Sequence, residues 1–290
     1  MFKTPFAAAI WSFVYCGHFL YIRFMRITKN EIKYVRSLSL KKNRQSEQKF
    51  VVEGWRALKE VLSSSSKVEI VGVLSRYLDD PDYRGILSNL EERGAIVREL
   101  TEAELNALAD TVHAQGVIAV VQQKRRTLEP HNLKKASLVV VADSVSDPGN
   151  LGSIIRSSDW FNIDLLLLGK GCVELYNDKV VRSTVGSIFH LPIVEGIDLP
   201  STLQMLKENN FSVIALSGDG KHSYDEQSMS GKIAIVLGSE AHGVSGEVRA
   251  LADDVVCIPK YGKAESLNVG VACGIVLARL RSQSEKKKGA

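Results

Sequence analysis

Three polar, glycine-bearing stretches hold the residue types that could carry out chemistry. They are DSVSDPGNLGSIIR (residues 143–156), VLGSEAHGVS (236–245) and IPKYGKAESLNVGVACG (258–274). Their glycines allow another group to approach the backbone closely. Asn150, Arg156 and Glu240 add an amide, a guanidinium and a carboxylate. Three such loops in one domain indicate a binding or catalytic site rather than plain connections.

Each stretch follows a run of apolar residues that predicts a buried strand. The runs are SLVVVAD, KIAIVLG and DVVCIP. Continuous apolar runs are typical of strands buried on both faces of a parallel sheet, and the segments between them have helical patterns. The final helix is expected to begin near Leu267. This alternation predicts a doubly wound α/β domain, which binds ligands beyond the carboxyl ends of its strands.

A second, smaller α/β domain is predicted upstream, because KFVVEG, KVEIVGVLS, AIVREL and GVIAVVQQ alternate with helical segments. A basic helix should precede it, opened by the capping box of Thr28 and Glu31. The predicted boundaries are 25–43 for the basic helix, 44–122 for the small domain, 123–137 for a linker, 138–281 for the doubly wound domain and 282–290 for a basic tail.

Residues 1–24 form a leader of unusual composition. It is uncharged from residue 4 to residue 22, nearly the length that spans a bilayer. Large aromatic residues occupy the place where a signal peptide would have a small-x-small cleavage site. Met25 follows, and MRITKNEIKYVRSL resembles the start of a soluble domain. A mis-assigned start or a disordered leader is therefore favoured over a membrane anchor, and a chain beginning at Met25 is expected to fold and function.

Positive charge is concentrated in three segments, although the net charge is only +4. Residues 26–60 carry ten Lys or Arg against four Glu, and QQKRRTLEPHNLKKA adds five cations against Glu129. The third segment is residues 286–288. A solvated face would explain any one cluster, but three together favour a polyanionic partner.

The spacing of the cysteines and the absence of familiar nucleotide-binding motifs argue against several classes of site. The four cysteines, Cys16, Cys172, Cys257 and Cys273, contain no C-x-x-C pair. This argues against a disulfide framework or a zinc site and fits a reducing compartment, so we expect a cytoplasmic protein without a metal. No P-loop or G-x-G-x-x-G motif is present.

Taken together, DPGNLGSIIRSSD, LGSEAHGVS and IPKYGKAESLNVGVACGI resemble the three signature motifs of the SpoU/TrmH class of RNA ribose 2′-O-methyltransferases, in the SPOUT superfamily. The resemblance covers residues 138–281, and the upstream α/β unit resembles the small substrate-binding domain often attached to these enzymes. It implies S-adenosylmethionine as cofactor, a deep trefoil knot and a homodimer joined through the knotted domain. Gly270 stands where the family usually has serine.

The resemblance also implies which residues form the site. Arg156 is expected to clamp a phosphate and stabilise a developing alkoxide, because an arginine rarely loses its proton. Asn150 would orient Arg156 or the ribose, Glu240 would order the loops, and Ser266 and Asn268 would bind substrate or hold the pocket. The expected cofactor contacts are Leu237, Gly238, Ser239, Glu240, Ile258, Gly262, Ser266, Leu267 and Asn268. The expected RNA contacts are Arg156 and, from the basic cluster just after the first predicted helix rather than from the resemblance, Lys41, Lys42 and Arg44.

These features predict methyl transfer from S-adenosylmethionine to a ribose 2′-hydroxyl, a group that distinguishes RNA from DNA. The two-domain layout favours ribosomal RNA, and no stable membrane association is expected. Two alternatives stay open: a tRNA ribose methyltransferase, and an RNA-binding or ribosome-assembly factor that keeps the fold without turnover. A small-molecule enzyme fits the basic N-terminal arm less well.

Overall fold

Two sheets organise the part of the chain that the structure describes. The structure is a computed structural model, and it describes residues 24–109, 115–226 and 231–288, with the backbone alone from residue 284 onward. Apart from Phe24, the predicted leader lies outside these residues. Within them, no helix combines the length and apolar character that crossing a bilayer requires.

The first sheet has the strand order β1-β4-β2-β3. β4 runs antiparallel to β1 and β2, and β2 runs parallel to β3. The strands are β1 (Lys49–Glu53), β2 (Val68–Leu74), β3 (Ile96–Leu100) and β4 (Val117–Gln122). The helices are α1 (Lys29–Ser37), α2 (Lys41–Glu47), α3 (Trp55–Ser63), α4 (Ser75–Leu78), α5 (Pro81–Glu92) and α6 (Glu102–Leu108).

The basic N-terminal segment forms two helices instead of the single predicted one. The capping box is present, since the Thr28 hydroxyl accepts from the backbone N–H of Glu31 and the Glu31 carboxylate accepts from that of Thr28. The first helix, α1, nevertheless ends at Ser37, and α2 begins at Lys41. The predicted boundary between residues 43 and 44 therefore falls inside α2.

The second sheet has the order β7-β6-β5-β10-β8-β11-β9, with every pair parallel. This confirms the predicted α/β class with a mostly parallel C-terminal sheet, while the knot stays a prediction. Its strands are β5 (Leu138–Ala142), β6 (Leu165–Gly169), β7 (Ile193–Ile197), β8 (Phe211–Leu216), β9 (His222–Ser223), β10 (Lys232–Leu237) and β11 (Asp254–Cys257).

Helices cover this sheet and also occupy two places where none was predicted, in the linker and after β6. They are α7 (Pro130–Lys135), α8 (Pro148–Trp160), α9 (Asp178–Thr184), α10 (Leu199–Glu208), α11 (Gly246–Leu251) and α12 (Val269–Lys288), with a 3₁₀ turn at Ser187–Phe189. The unpredicted helices are α7 and α9, and α12 continues through most of the predicted tail.

One hydrophobic core continues from the first sheet into the second. Phe50 on β1, Val140 on β5 and Leu237 at the end of β10 belong to the same buried cluster. The ring of Phe50 lies 4.6 Å from that of Tyr176. Because this shared apolar surface would be exposed if the two units separated, it holds them in a fixed arrangement.

Candidate active site

The three polar stretches meet at one edge of the second sheet. They follow the carboxyl ends of β5, β10 and β11. β5 and β10 are neighbours, and only β8 separates β10 from β11. Because all these strands are parallel, their carboxyl ends point to the same edge. The geometry is that of a ligand crevice built by three loops.

A chain of hydrogen bonds joins the three loops. The Asn150 side-chain amide donates to the Glu240 carboxylate at 2.7 Å, and the Asn150 side-chain oxygen accepts from the Asn268 amide at 2.7 Å. The Asn268 oxygen in turn accepts from the backbone N–H groups of Gly270 at 2.9 Å and Val271 at 3.2 Å. A carboxylate and a helix N-terminus at the two ends fix the orientation of both amides between them.

The start of α8 is capped by Asp147. The Asp147 carboxylate accepts from the Asn150 backbone N–H at 2.8 Å. Pro148 occupies the first turn, where its missing N–H costs nothing. The Asn150 side chain is thereby left available for the other two loops.

Asp143 is a buried carboxylate to which the sequence analysis gave no role. It is 3% exposed, and it accepts from the Ser245 backbone N–H at 2.7 Å. Its own N–H donates to the Leu237 carbonyl at 2.7 Å. Asp143 therefore ties the first loop to the second at the strand ends. A carboxylate directly after the apolar run SLVVVA was the available signal, because buried acids are rare unless they are paired.

Two glycines of the site are required by contacts within the chain. A Cβ at Gly238 would lie 2.0 Å from the Gly243 carbonyl carbon, and one at Gly270 would lie 2.7 Å from the Ser153 Cβ. A serine at position 270 would therefore need α8 and α12 to shift apart. Gly262 differs, because a Cβ there would meet nothing within 4 Å.

The third loop offers unpaired polar groups. Residues 260–268 are exposed, Leu267 to 49%, while Ile258 is half-buried. The backbone N–H groups of residues 260–267 donate no hydrogen bond to any residue that the structure describes. Backbone donors beside a half-buried apolar residue suit an adenosyl group, whose ring is apolar on its faces and accepts hydrogen bonds at its edge.

The second loop is a tight turn. The Ser239 backbone pairs with that of Gly243 in both directions, at 3.0 and 2.9 Å, and the Ser239 hydroxyl accepts from the His242 N–H at 3.1 Å. Gly238 and Leu237 are buried, whereas Glu240 is exposed. This turn holds the Glu240 carboxylate out towards Asn150.

Arg156 lies exposed on α8. It makes no hydrogen bond or ion pair within residues 24–109, 115–226 and 231–283, and nothing in the structure joins it to Asn150. Ser153 and Trp160, its neighbours along the helix surface, are exposed as well. The guanidinium is thus an unneutralised positive charge, open to an anion from outside.

The RNA-contact prediction is wrong for Arg44. Lys41 and Lys42 are exposed as expected, but Arg44 is only 2% exposed. Its guanidinium lies 2.7 Å from the Glu174 carboxylate and donates to the backbone oxygens of Leu38 at 2.9 Å and Ser39 at 2.7 Å. These partners occupy its donors, so Arg44 is a structural ion-pair residue.

Two of the cysteines, Cys172 and Cys273, have thiols that burial makes less acidic. Burial raises the pKa of the Cys273 thiol to about 12, so it stays protonated and unreactive near neutral pH. Burial also raises the pKa of Cys172. In the part of the chain that the structure covers, no group of three or more His, Cys, Asp or Glu side chains could hold a metal ion.

Comparison with known proteins relates both units to RNA-modifying proteins. Residues 137–278 match the SpoU rRNA Methylase family, and residues 29–119 match the MRM3-like substrate binding domain. The 23S rRNA (guanosine(2553)-2'-O)-methyltransferase RlmP of Bacillus subtilis is 34% identical over 254 residues, covering 87% of this chain and 97% of that protein. The AdoMet-bound rRNA methyltransferase from Sinorhizobium meliloti is 25% identical, with a TM-score of 0.79, covering 89% of this chain and 97% of its own.

Proposed function

Because the chain belongs to the SpoU rRNA methylase family, we propose that it transfers a methyl group from S-adenosylmethionine to a ribose 2′-hydroxyl of ribosomal RNA. The observation that carries this is the hydrogen-bond chain through Asn150, Glu240 and Asn268, which assembles one site from three loops. The similar RlmP is named for methylation of a guanosine in 23S rRNA, so 23S rRNA is the first substrate to test.

The geometry suggests a separate role for each group of residues at the site. S-adenosylmethionine supplies a methyl group already activated by a positively charged sulfur. Gly238, Ile258 and the unpaired backbone donors of residues 260–267 would hold its adenosyl part. The ribose oxygen must approach in line, so positioning is the main demand on the protein. Arg156 would hold the adjacent phosphate and stabilise the negative charge that grows on the oxygen as its proton leaves.

Methyl transfer to in-vitro-transcribed 23S rRNA tests the function. Labelled S-adenosylmethionine is expected to label the RNA, and the modified linkage should resist alkaline cleavage because its 2′-hydroxyl is blocked. A transcript with a 2′-deoxy nucleotide at the mapped position should accept no label there. Binding of RNA and cofactor without label transfer would contradict the enzymatic function and favour a non-catalytic RNA-binding factor.

The same fold supports self-association through α8 and α12. Trp160 on α8 is 83% exposed, and Val271 on α12 and Leu267 just before it are 52% and 49% exposed. Large exposed apolar side chains on two packed helices are typical of a surface that another protein covers. A homodimer is therefore part of the proposal. Sedimentation as a monomer at all concentrations would contradict it.

Replacing Glu240 is expected to act through Asn150. Glu240→Ala removes the acceptor of the Asn150 amide, a bond to a charged group worth about 1.5 kcal/mol or more, so methyl transfer should fall roughly tenfold. Glu240→Gln keeps an acceptor oxygen at the same reach and should retain most of the rate. Single-turnover kinetics compares them. If both variants lose the same activity, the carboxylate charge matters and positioning of Asn150 does not.

Replacing Gly238 is expected to weaken cofactor binding. The new Cβ of Gly238→Ala would collide with the backbone of Gly243 and Val244, at 2.0 and 2.1 Å, so the second loop must move. Overpacking of this kind costs about 1–3 kcal/mol, which corresponds to roughly a tenfold to hundredfold loss in S-adenosylmethionine affinity. Calorimetry measures it, after a thermal melt has shown that the variant is folded.

The matched control is Gly246→Ala at the start of α11, directly after the second loop, where a Cβ would meet nothing within 4 Å. It should bind the cofactor as the unaltered protein does. Equal affinities for the Gly238 variant and this control would remove the second loop from the cofactor site.

A further inference from the structure

The start of the linker is held against α2. The Gln123 backbone N–H donates to the Gln48 carbonyl at 2.8 Å. Its buried side-chain amide donates to the carbonyls of Arg44 and Lys49, both at 3.3 Å. The cations that follow Gln123 in the chain are thereby brought beside those of α2, although about eighty residues separate them.

The next residue is held against the segment between β6 and α9. The backbone N–H of Lys124 donates to the Tyr176 hydroxyl at 2.9 Å, and the same hydroxyl donates to the Lys124 carbonyl at 2.9 Å. Burial raises the pKa of Tyr176 to about 12, so the hydroxyl keeps the proton that it donates. Two adjacent residues, Gln123 and Lys124, thereby fix the direction in which the linker leaves the first unit.

Four exposed cations at this junction come from two segments that are distant in sequence. Lys41 and Lys42 on α2 and Arg125 and Arg126 in the linker are exposed, and none forms an ion pair within the described residues. Glu174, a nearby carboxylate, is occupied by Arg44. Burial raises the pKa of the Glu195 carboxyl, and the positive charges of Arg125 and Lys41 both oppose this rise.

The junction lies at the same edge of the sheet as the active site. Tyr176 follows β6, the neighbour of β5, and the first polar stretch follows β5. Two further linker cations, Lys134 and Lys135, end α7 at the opposite edge, where Lys232 at the start of β10 donates to the Leu133 and Lys134 carbonyls.

We propose that Lys41, Lys42, Arg125 and Arg126 form one junction surface that binds the phosphate backbone of the substrate RNA beside the active site. The proposal rests on the proposed function in that the substrate is taken to be RNA. Unpaired cations from two distant segments repel one another, and a phosphate backbone relieves this repulsion. Like phosphate contacts in general, the surface would position the RNA without reading its sequence.

The variant Arg125→Ala/Arg126→Ala tests the linker half of the surface. Its matched control, Lys134→Ala/Lys135→Ala, removes two charges from the same linker at the opposite edge. Binding of an in-vitro 23S rRNA transcript is measured by filter retention as salt is varied. The Arg125→Ala/Arg126→Ala variant should make the negative slope of log K against log salt shallower by about 1.5. It should also weaken binding roughly tenfold near physiological salt. The Lys pair should change neither.

Two more variants sharpen the result. Arg125→Lys/Arg126→Lys keeps both charges and should keep the slope, because counterion release depends on charge. Lys41→Ala/Lys42→Ala should lower the slope by a similar amount, and the fourfold alanine variant should show about the sum of the two effects. Equal effects of the Arg and Lys134/Lys135 pairs, or no effect of the Arg pair, would overturn the proposal.

These experiments distinguish failure of the junction-surface proposal from failure of the proposed function. If the unaltered protein transfers no methyl group yet shows these salt slopes, the proposed function fails and the junction surface stands. If methyl transfer proceeds and the Arg pair keeps the slope, the surface fails and the function stands.

Discussion

Arg156→Ala is expected to lower the single-turnover rate of methyl transfer by about a hundredfold to a thousandfold, the usual loss on removing one preorganised charge donor from an active site. S-adenosylmethionine affinity should stay near normal, because the anion that Arg156 meets arrives only with the RNA. The guanidinium is exposed and makes no ion pair with any described residue, so its removal leaves no buried charge behind. Kinetics at saturating cofactor and RNA measures the rate.

The conservative replacement makes this prediction sharper. Arg156→Lys keeps the charge but loses the planar pair of donors that grips a phosphate or an oxyanion, so it should recover little activity. Ser153→Ala, one turn away on the same exposed side of α8, is the control and should stay within a few-fold. An Arg156→Ala variant that also stays within a few-fold would remove Arg156 from catalysis.

Arg44→Ala is expected to destabilise the fold by about 3–5 kcal/mol, the usual cost of removing one partner from a buried ion pair. The Glu174 carboxylate, 9% exposed, would lose its cation, and the backbone oxygens of Leu38 and Ser39 would lose their donor. Urea denaturation measures the change. The salt slope of RNA binding by the folded variant should not change, in contrast to the junction-surface variants.

Two variants check that the buried charge is the cause. Lys170→Ala breaks the exposed ion pair with Asp198, whose side chains are 70% and 55% exposed, and it should leave stability almost unchanged. Adding Glu174→Gln to Arg44→Ala removes the stranded carboxylate and should restore part of the loss. A double variant no more stable than Arg44→Ala would point to lost packing instead.

The strands were predictable from sequence because their signal is local. Runs such as SLVVVA and KIAIVL are buried on both faces of the parallel sheet, and such burial selects apolar residues at consecutive positions. The three polar stretches could be placed at one edge for the same reason, since parallel strands end together. The capping box at Thr28 identified the start of α1 through two side chains only three residues apart.

Other features depend on partners distant in sequence. α2, KKNRQSE, has no apolar stripe because the residue it buries is Arg44, whose partner Glu174 is 130 residues away. A search for hydrophobic periodicity therefore finds no helix, and the arginine resembles one more surface cation. Gly270 is similar: its spacing suggested room for a ligand, but the structure shows that it accommodates Ser153 across the contact between α8 and α12.

The Asn268 side chain has a consequence for when the protein becomes active during its synthesis. The Asn268 side-chain oxygen accepts hydrogen bonds from the first turn of α12, and the nitrogen of the same side chain donates to Asn150. Because Asn268 follows Asn150 by 118 residues, the bond between them can form only after the strands of the second sheet and the third loop have been synthesised. Until then the nascent protein carries Arg156 and the second loop, yet its three loops remain unconnected. The protein is therefore expected to be inactive until the third loop has folded, and a truncation before Asn268 should abolish activity in the same way.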